Sequence, residues 1–204
     1  MTRPAFSPPI AIAIATGLAL AIATAAYLTH DGWTYEGAAA AARLTARNSF
    51  LWFLAAWSAS ALARLWPGGW RTALLRRRRS VGLGFAASHT VHLGALLIAL
   101  FVFGHGTKLV TIIGGGTGYL FVLAMAVTSN DASVRRLGPR RWRLLHATGG
   151  YVIAGIFAFS YLGRVKADPW LGVPMMTLIG LAAALRILAW VGKRTRSRVT
   201  ATQG

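Results

Sequence analysis

Five histidines are the residues of this chain best suited to chemistry: His30, His89, His92, His105 and His146. His89 and His92 fall inside a long apolar stretch, three residues apart and so on neighbouring faces of a helix. An ionisable side chain inside an apolar span is costly. Three uses account for it: ligation of haem iron, a proton path, or a hydrogen bond between helices. His146 lies just inside a later apolar stretch. Imidazole is a standard axial ligand for haem iron, and histidines on facing helices can clamp a macrocycle within a bundle. His30 and His105 stand in His30-Asp31-Gly32 and Gly104-His105-Gly106, at the ends of apolar runs, and read as loop residues. The chain has no cysteine, which excludes disulfides, iron–sulfur clusters and thiolate zinc sites. Its four acids are too few and too peripheral for paired-carboxylate catalysis, and no nucleophile–base–orienter set is visible.

The elements that must position these histidines follow from hydropathy. Of 204 residues 55% are hydrophobic, yet 22 Lys+Arg stand against 4 Asp+Glu, a formal charge of +18. Six stretches have the roughly 20 apolar residues needed to cross a hydrocarbon core about 30 Å thick: residues 10–28, 49–66, 81–103, 109–128, 144–163 and 170–191. The expected fold is therefore all-α, an integral membrane six-helix bundle forming one domain over residues 1–204. The first stretch is longer than a usual signal-peptide core and is expected to be a retained helix.

The cations fall in blocks between apolar runs. That is the pattern of membrane topology and not of a nucleic-acid surface, so nucleic acid is not an expected partner. Arg76 to Arg79, then Arg135, Arg136, Arg140, Arg141 and Arg143, then Lys193, Arg194, Arg196 and Arg198 all fall on one side if six helices alternate. Positive charge stays inside, which puts both termini in the cytoplasm. Arg64 and Arg186 near the inner helix ends are expected to snorkel to the interface, and the basic loops to face membrane lipid. Trp33, Tyr35, Trp66, Trp70, Trp142 and Trp170 read as interfacial anchors. Gly82, Gly84, Gly149, Gly150, Gly155 and the run Gly114-Gly115-Gly116-Thr117-Gly118 read as sites of close helix packing. A dinucleotide fingerprint would need a preceding strand that an apolar span does not offer.

Several blocks carry a resemblance. Leu44-Thr45-Ala46-Arg47-Asn48-Ser49 leads to Ala61-Leu62-Ala63-Arg64. Arg78-Arg79-Ser80-Val81-Gly82-Leu83 is followed by His92. The most specific run is Thr128-Ser129-Asn130-Asp131-Ala132, then Arg135-Arg136-Leu137-Gly138, Arg141-Trp142 and Leu145-His146. With these blocks the chain resembles the ferric-reductase-like transmembrane family. Within it, the chain is similar to the haem-binding membrane subunits of bacterial protein-methionine-sulfoxide reductase systems.

The resemblance implies a haem b subunit of the bacterial inner membrane, with one or two haems, carrying electrons to an extracytoplasmic acceptor. It implies a cytoplasmic flavin reductase as donor, with the flavin on that partner, and a periplasmic molybdenum enzyme as acceptor. It assigns His92 and His146 as axial ligands of haem iron. One position departs from the family. A further histidine about thirteen residues after His146 is replaced, at Phe159 or Ser160.

Depth sharpens this departure. His92 lies about 20 Å from the Arg79 end of its helix, His89 about 15 Å, and His146 only about 5 Å past Arg143. His92 and His146 are therefore not expected to share one haem. Three outcomes stay open for the outer site: His89 substitutes for the lost ligand, the iron is five-coordinate, or the site is gone. The last would leave a non-catalytic six-helix scaffold or accessory protein.

Overall fold

A computed structural model of the chain describes residues 6–104 and 106–201, with side chains up to residue 193. His105 and Arg3 lie outside the described residues, as do the side chains of Arg194, Arg196 and Arg198. Among the described residues every regular element is a helix: α1 (Pro8–Thr29), α2 (Tyr35–Leu65), α3 (Gly69–Arg76), α4 (Arg78–Leu97), α5 (Leu109–Val127), α6 (Asp131–Leu137), α7 (Pro139–Ala167) and α8 (Pro169–Ala201). A one-turn π-helix, Ile98–Val102, continues α4.

Five segments are long and apolar enough to cross a membrane: Pro8–Thr29, Arg78–Val102, Leu109–Val127, Pro139–Ala167 and Pro169–Lys193. The second expected span is present as a helix, but it begins fourteen residues earlier than the apolar run. The helix from Tyr35 to Leu65 takes in Glu36, Arg43 and Arg47, which the hydropathy of 49–66 does not reveal. The basic segments between the apolar stretches contain the short helices α3 and α6. Asn130 caps α6, its side chain accepting from the Ser133 N–H at 2.7 Å. Gly138, at φ 76°, makes the turn into α7 that an L-residue would resist.

The chain divides into two compact units, Met1–Phe53 with Arg79–Phe157, and Leu54–Arg78 with Ala158–Gly204. In the first, α1 packs through a stripe of alanines, Ala11, Ala15, Ala19 and Ala26, all without exposed surface. Spacings of four and seven place them on one face. Ala26 meets Ala40, Ala41, Ala42 and Ala95 of α2 and α4. Small side chains let helix backbones approach, which in lipid replaces the hydrophobic drive that water would supply. Phe50, Phe53, Phe85 and Phe157 fill the wider part of this core, with ring centroids 5.0–5.5 Å apart. Leucines, isoleucines and valines along α5 (Leu109, Ile112, Ile113, Leu120, Leu123) point outward and are exposed, the surface expected of a protein dissolved in lipid.

Tight glycine approaches are fewer than expected. A Cβ on Gly84 would meet the Trp52 ring at 2.9 Å, one on Gly118 would meet Ile156 Cδ1 at 2.9 Å, and one on Gly149 would meet Met125 Sδ at 2.8 Å. Gly82, Gly114, Gly115, Gly116 and Gly155 have open space there. The glycine run of α5 thus contributes one contact residue, because only Gly118 lies on the face turned to α7.

A polar bond also joins α2 to α4. Asn48 Nδ2 donates to Ser88 Oγ at 2.8 Å, with both residues buried. A double-mutant cycle with Asn48→Leu and Ser88→Ala is expected to give a coupling of roughly 0.6 to 2 kcal/mol in thermal unfolding. Additive effects would mean that the bond does not form.

Candidate functional site

Both intramembrane histidines of α4 are anchored by hydroxyls of α2. Ser49 Oγ lies 2.9 Å from His89 Nδ1, and Thr45 Oγ1 lies 3.4 Å from His92 Nδ1. Each hydroxyl already donates its proton to its own helix, Ser49 to the Ala46 carbonyl at 2.9 Å and Thr45 to that of Ala41 at 2.7 Å. The hydroxyls can then only accept, so the imidazoles donate from Nδ1. In the neutral ring this leaves the lone pair on Nε2. It is the tautomer a metal-binding histidine adopts when its other nitrogen is held by an outer partner.

Aromatic rings surround His89. The His89 ring stacks on Tyr119 of α5 at 4.7 Å and lies 5.2 Å from Phe85, 5.9 Å from Phe157 and 5.1 Å from His92. The Tyr119 hydroxyl donates to the His89 carbonyl at 3.1 Å. Two histidines of one helix, with rings side by side and 5.1 Å apart, do not oppose each other across a single iron. One of them can ligate while the other lines the pocket.

His146 is built differently. Thr128 Oγ1 donates to the Ala124 carbonyl at 2.6 Å and lies 3.1 Å from His146 Nε2. The same reasoning puts the His146 proton on Nε2. The Trp142 ring stacks on His146 at 4.1 Å, and its Nε1 donates to the Thr128 carbonyl at 2.9 Å. Trp142, expected as an interfacial anchor, is therefore tied into the His146 cluster by a specific bond.

These two clusters are not brought together. His89 sits beside Tyr119 and His146 beside Thr128, nine residues apart on α5, or about 13.5 Å along that helix. On α7 the residue facing His89 is Phe157, whereas Phe159 is 67% exposed and Ser160 is also exposed. His30 caps the end of α1, with its Nδ1 near Thr29 Oγ1 at 2.9 Å and the Ala26 carbonyl at 3.1 Å. Among the described residues no three His, Cys, Asp or Glu side chains gather as a metal cluster.

Arg79 stands at the start of α4 and ties it to α6. It donates to the Ser129 carbonyl at 2.6 Å and pairs with Asp131 at 2.9 Å, on an exposed surface. These bonds join two of the sequence blocks singled out above, Arg78-Arg79 and Ser129-Asn130-Asp131.

Apolar helices with outward-facing leucines and isoleucines, and polar groups turned inward, define a multi-pass membrane protein. Comparison with known proteins gives the family. Over 156 residues the chain is 34% identical to the protein-methionine-sulfoxide reductase heme-binding subunit MsrQ of Rhodospirillum rubrum, covering 72% of each chain. It is 32% identical over 159 residues to that of Klebsiella pneumoniae, covering 74% of each. The Deinococcus radiodurans protein of the same name is 38% identical over 128 residues, which are 59% of this chain and 62% of that one. The chain belongs to the MsrQ family. No family model matches it, and no solved structure does either.

Proposed function

We propose that this protein is a haem-binding electron-transfer subunit of the bacterial inner membrane. The observation that carries the reading is the pair of α4 imidazoles, each with its Nδ1 beside an α2 hydroxyl. The names of its relatives, heme-binding subunits of a methionine-sulfoxide reductase, point the same way. A haem b bound here would supply reversible one-electron transfer at its iron. His92 would hold the iron, with Thr45 fixing its ring. His89 would line the same pocket or take over the ligand role, and Phe85, Tyr119 and Phe157 would exclude water. His146 would serve a second haem nearer the Arg143 end.

In this reading α2 is the sixth span and both termini are cytoplasmic. The Arg76–Arg79 and Arg135–Arg143 blocks support that orientation. Two histidine levels about 13.5 Å apart would step electrons outward. A cytoplasmic flavin reductase would donate them and a periplasmic redox enzyme would accept them.

The decisive experiment is a reduced-minus-oxidised spectrum of the purified protein expressed with haem supplied. A haem b difference spectrum at near-stoichiometric loading is expected. Its absence would sink the reading and leave the accessory scaffold, which one observation favours: the α7 residue opposite His89 is Phe157, a ring that cannot ligate iron.

A further inference from the structure

A single iron takes one ligand from α4, because the His89 and His92 rings lie side by side, 5.1 Å apart. The two residues are three positions apart, so the choice between them moves the iron by about 4.5 Å along the helix. What distinguishes the rings is how firmly each is held. Ser49 Oγ lies 2.9 Å from His89 Nδ1, whereas Thr45 Oγ1 lies 3.4 Å from His92 Nδ1, beyond the usual hydrogen-bond range. His92 also has the Ala42 carbonyl as a neighbour, so its polar contacts are with α2. His89 has the rings of Phe85, Tyr119 and Phe157 around it, from α4, α5 and α7. Among the described residues His92 has one ring neighbour, His89 itself.

Tyr119 makes most of that difference. It follows Gly118 on α5, where the missing side chain lets Ile156 of α7 approach. A tyrosine hydroxyl stands too far from its own helix to bond a preceding carbonyl as serine or threonine does, so within lipid it needs an acceptor on another helix. Tyr119 finds one in the main chain of His89, donating to its carbonyl at 3.1 Å. The Tyr119 ring also stacks on the imidazole of the same residue, with centroids 4.7 Å apart and planes 23° from parallel. One side chain of α5 thus grips His89 at two points, the carbonyl and the ring face. Any rotation of the His89 ring to meet an iron works against that stack. His92 has no such stack with another helix to lose.

We propose that Tyr119 is the positioning residue that selects the ligand: it holds His89 as a wall of the pocket and leaves His92 to take the iron. The assignment rests on the protein binding haem. Two imidazoles of one helix compete for one coordination position, and Tyr119 weights the competition toward His92.

The test uses the full chain, purified in detergent with haem supplied, in a His92→Ala background, where His89 is the imidazole that α4 has left. Tyr119→Leu removes both grips and should raise the haem affinity of that background by about tenfold, the combined weight of an aromatic pair and a hydrogen bond. Tyr119→Phe keeps the ring and deletes the bond, and should recover part of the gain. Adding His89→Ala should cancel the gain; a gain that survives comes from a wider pocket and overturns the assignment. With His92 present, Tyr119→Leu should split the electron paramagnetic resonance signal of the ferric haem in two, one for each ligand. A tyrosine that only supports the fold would lower the melting temperature and leave affinity and signal unchanged, which also overturns the assignment. Should Tyr119→Leu fail to accumulate, Tyr119→Phe decides, and no gain from it counts against the selection. The parent protein tells the two failures apart. A parent without a haem difference spectrum sinks haem binding altogether, whereas a loaded parent whose His92→Ala variant ignores Tyr119 sinks the selection alone.

Discussion

His92→Ala is expected to lower the haem content or shift the haem spectrum of the protein, and His89→Ala with His92→Ala together should abolish the site on α4. The two rings lie 5.1 Å apart, and each has its Nδ1 beside a hydroxyl of α2. A ligand's outer partner should matter less but measurably. Thr45→Val keeps the imidazole and deletes its acceptor, and should weaken haem affinity by about 10-fold to 100-fold. His146→Ala should leave the outer pocket loaded, because its cluster lies nine residues away on α5. Haem-to-protein ratios and difference spectra of the four variants check this. Full loading with an unchanged spectrum in the double variant would remove the α4 histidines from any ligand role.

Gly149→Leu is expected to destabilise the first unit where α5 meets α7. A Cβ there would sit 2.8 Å from Met125 Sδ and 3.0 Å from Phe121 Cδ1, and the rest of a leucine would have to displace both. Overpacking of this kind costs about 1–3 kcal/mol, occasionally more. Met125 is three residues before Thr128, so the shift would also pull the threonine from His146. Gly115→Leu is the internal control. It meets open space on the same helix pair and should change stability by less than about 0.5 kcal/mol. Thermal unfolding in detergent separates the two, and equal melting temperatures would mean that α5 and α7 do not pack through Gly149.

Much of this fold could be read in the sequence because lipid imposes long apolar runs. Helices appear where the runs at 81–103, 109–128, 144–163 and 170–191 lie, and all but the second are lengthened at their basic ends. What hydropathy hides is the start of α2. Alanines with Arg43 and Arg47 are good helix formers but poor markers of lipid burial. The short helices α3 and α6 fall in basic segments where charge masks periodicity, although Asn130 with Asp131 is a readable N-terminal signal.

The histidines announced themselves, but their anchors did not. A serine or threonine in a span can always bond its own preceding carbonyl. Nothing in the chain order says that Ser49, Thr45 and Thr128 also face an imidazole. Tyr119 was missed for the same reason, since its bond to the His89 carbonyl spans thirty residues. Phe157 was missed because sequence spacing pointed to Phe159 or Ser160, whereas the helix turns those outward.

The division of the chain also sets a schedule for its synthesis. The second unit is assembled from Leu54–Arg78 and from Ala158–Gly204, with the intervening residues belonging to the first. Arg64 finds its acceptor 125 residues later, and Trp57 receives its donor 129 residues later. At roughly 5–20 residues per second that is a wait of about 6–25 s on the ribosome. Throughout it, the second half of α2 stands without the helix it is built to meet. The first unit can close in that interval, whereas the second depends on the last helix to be made.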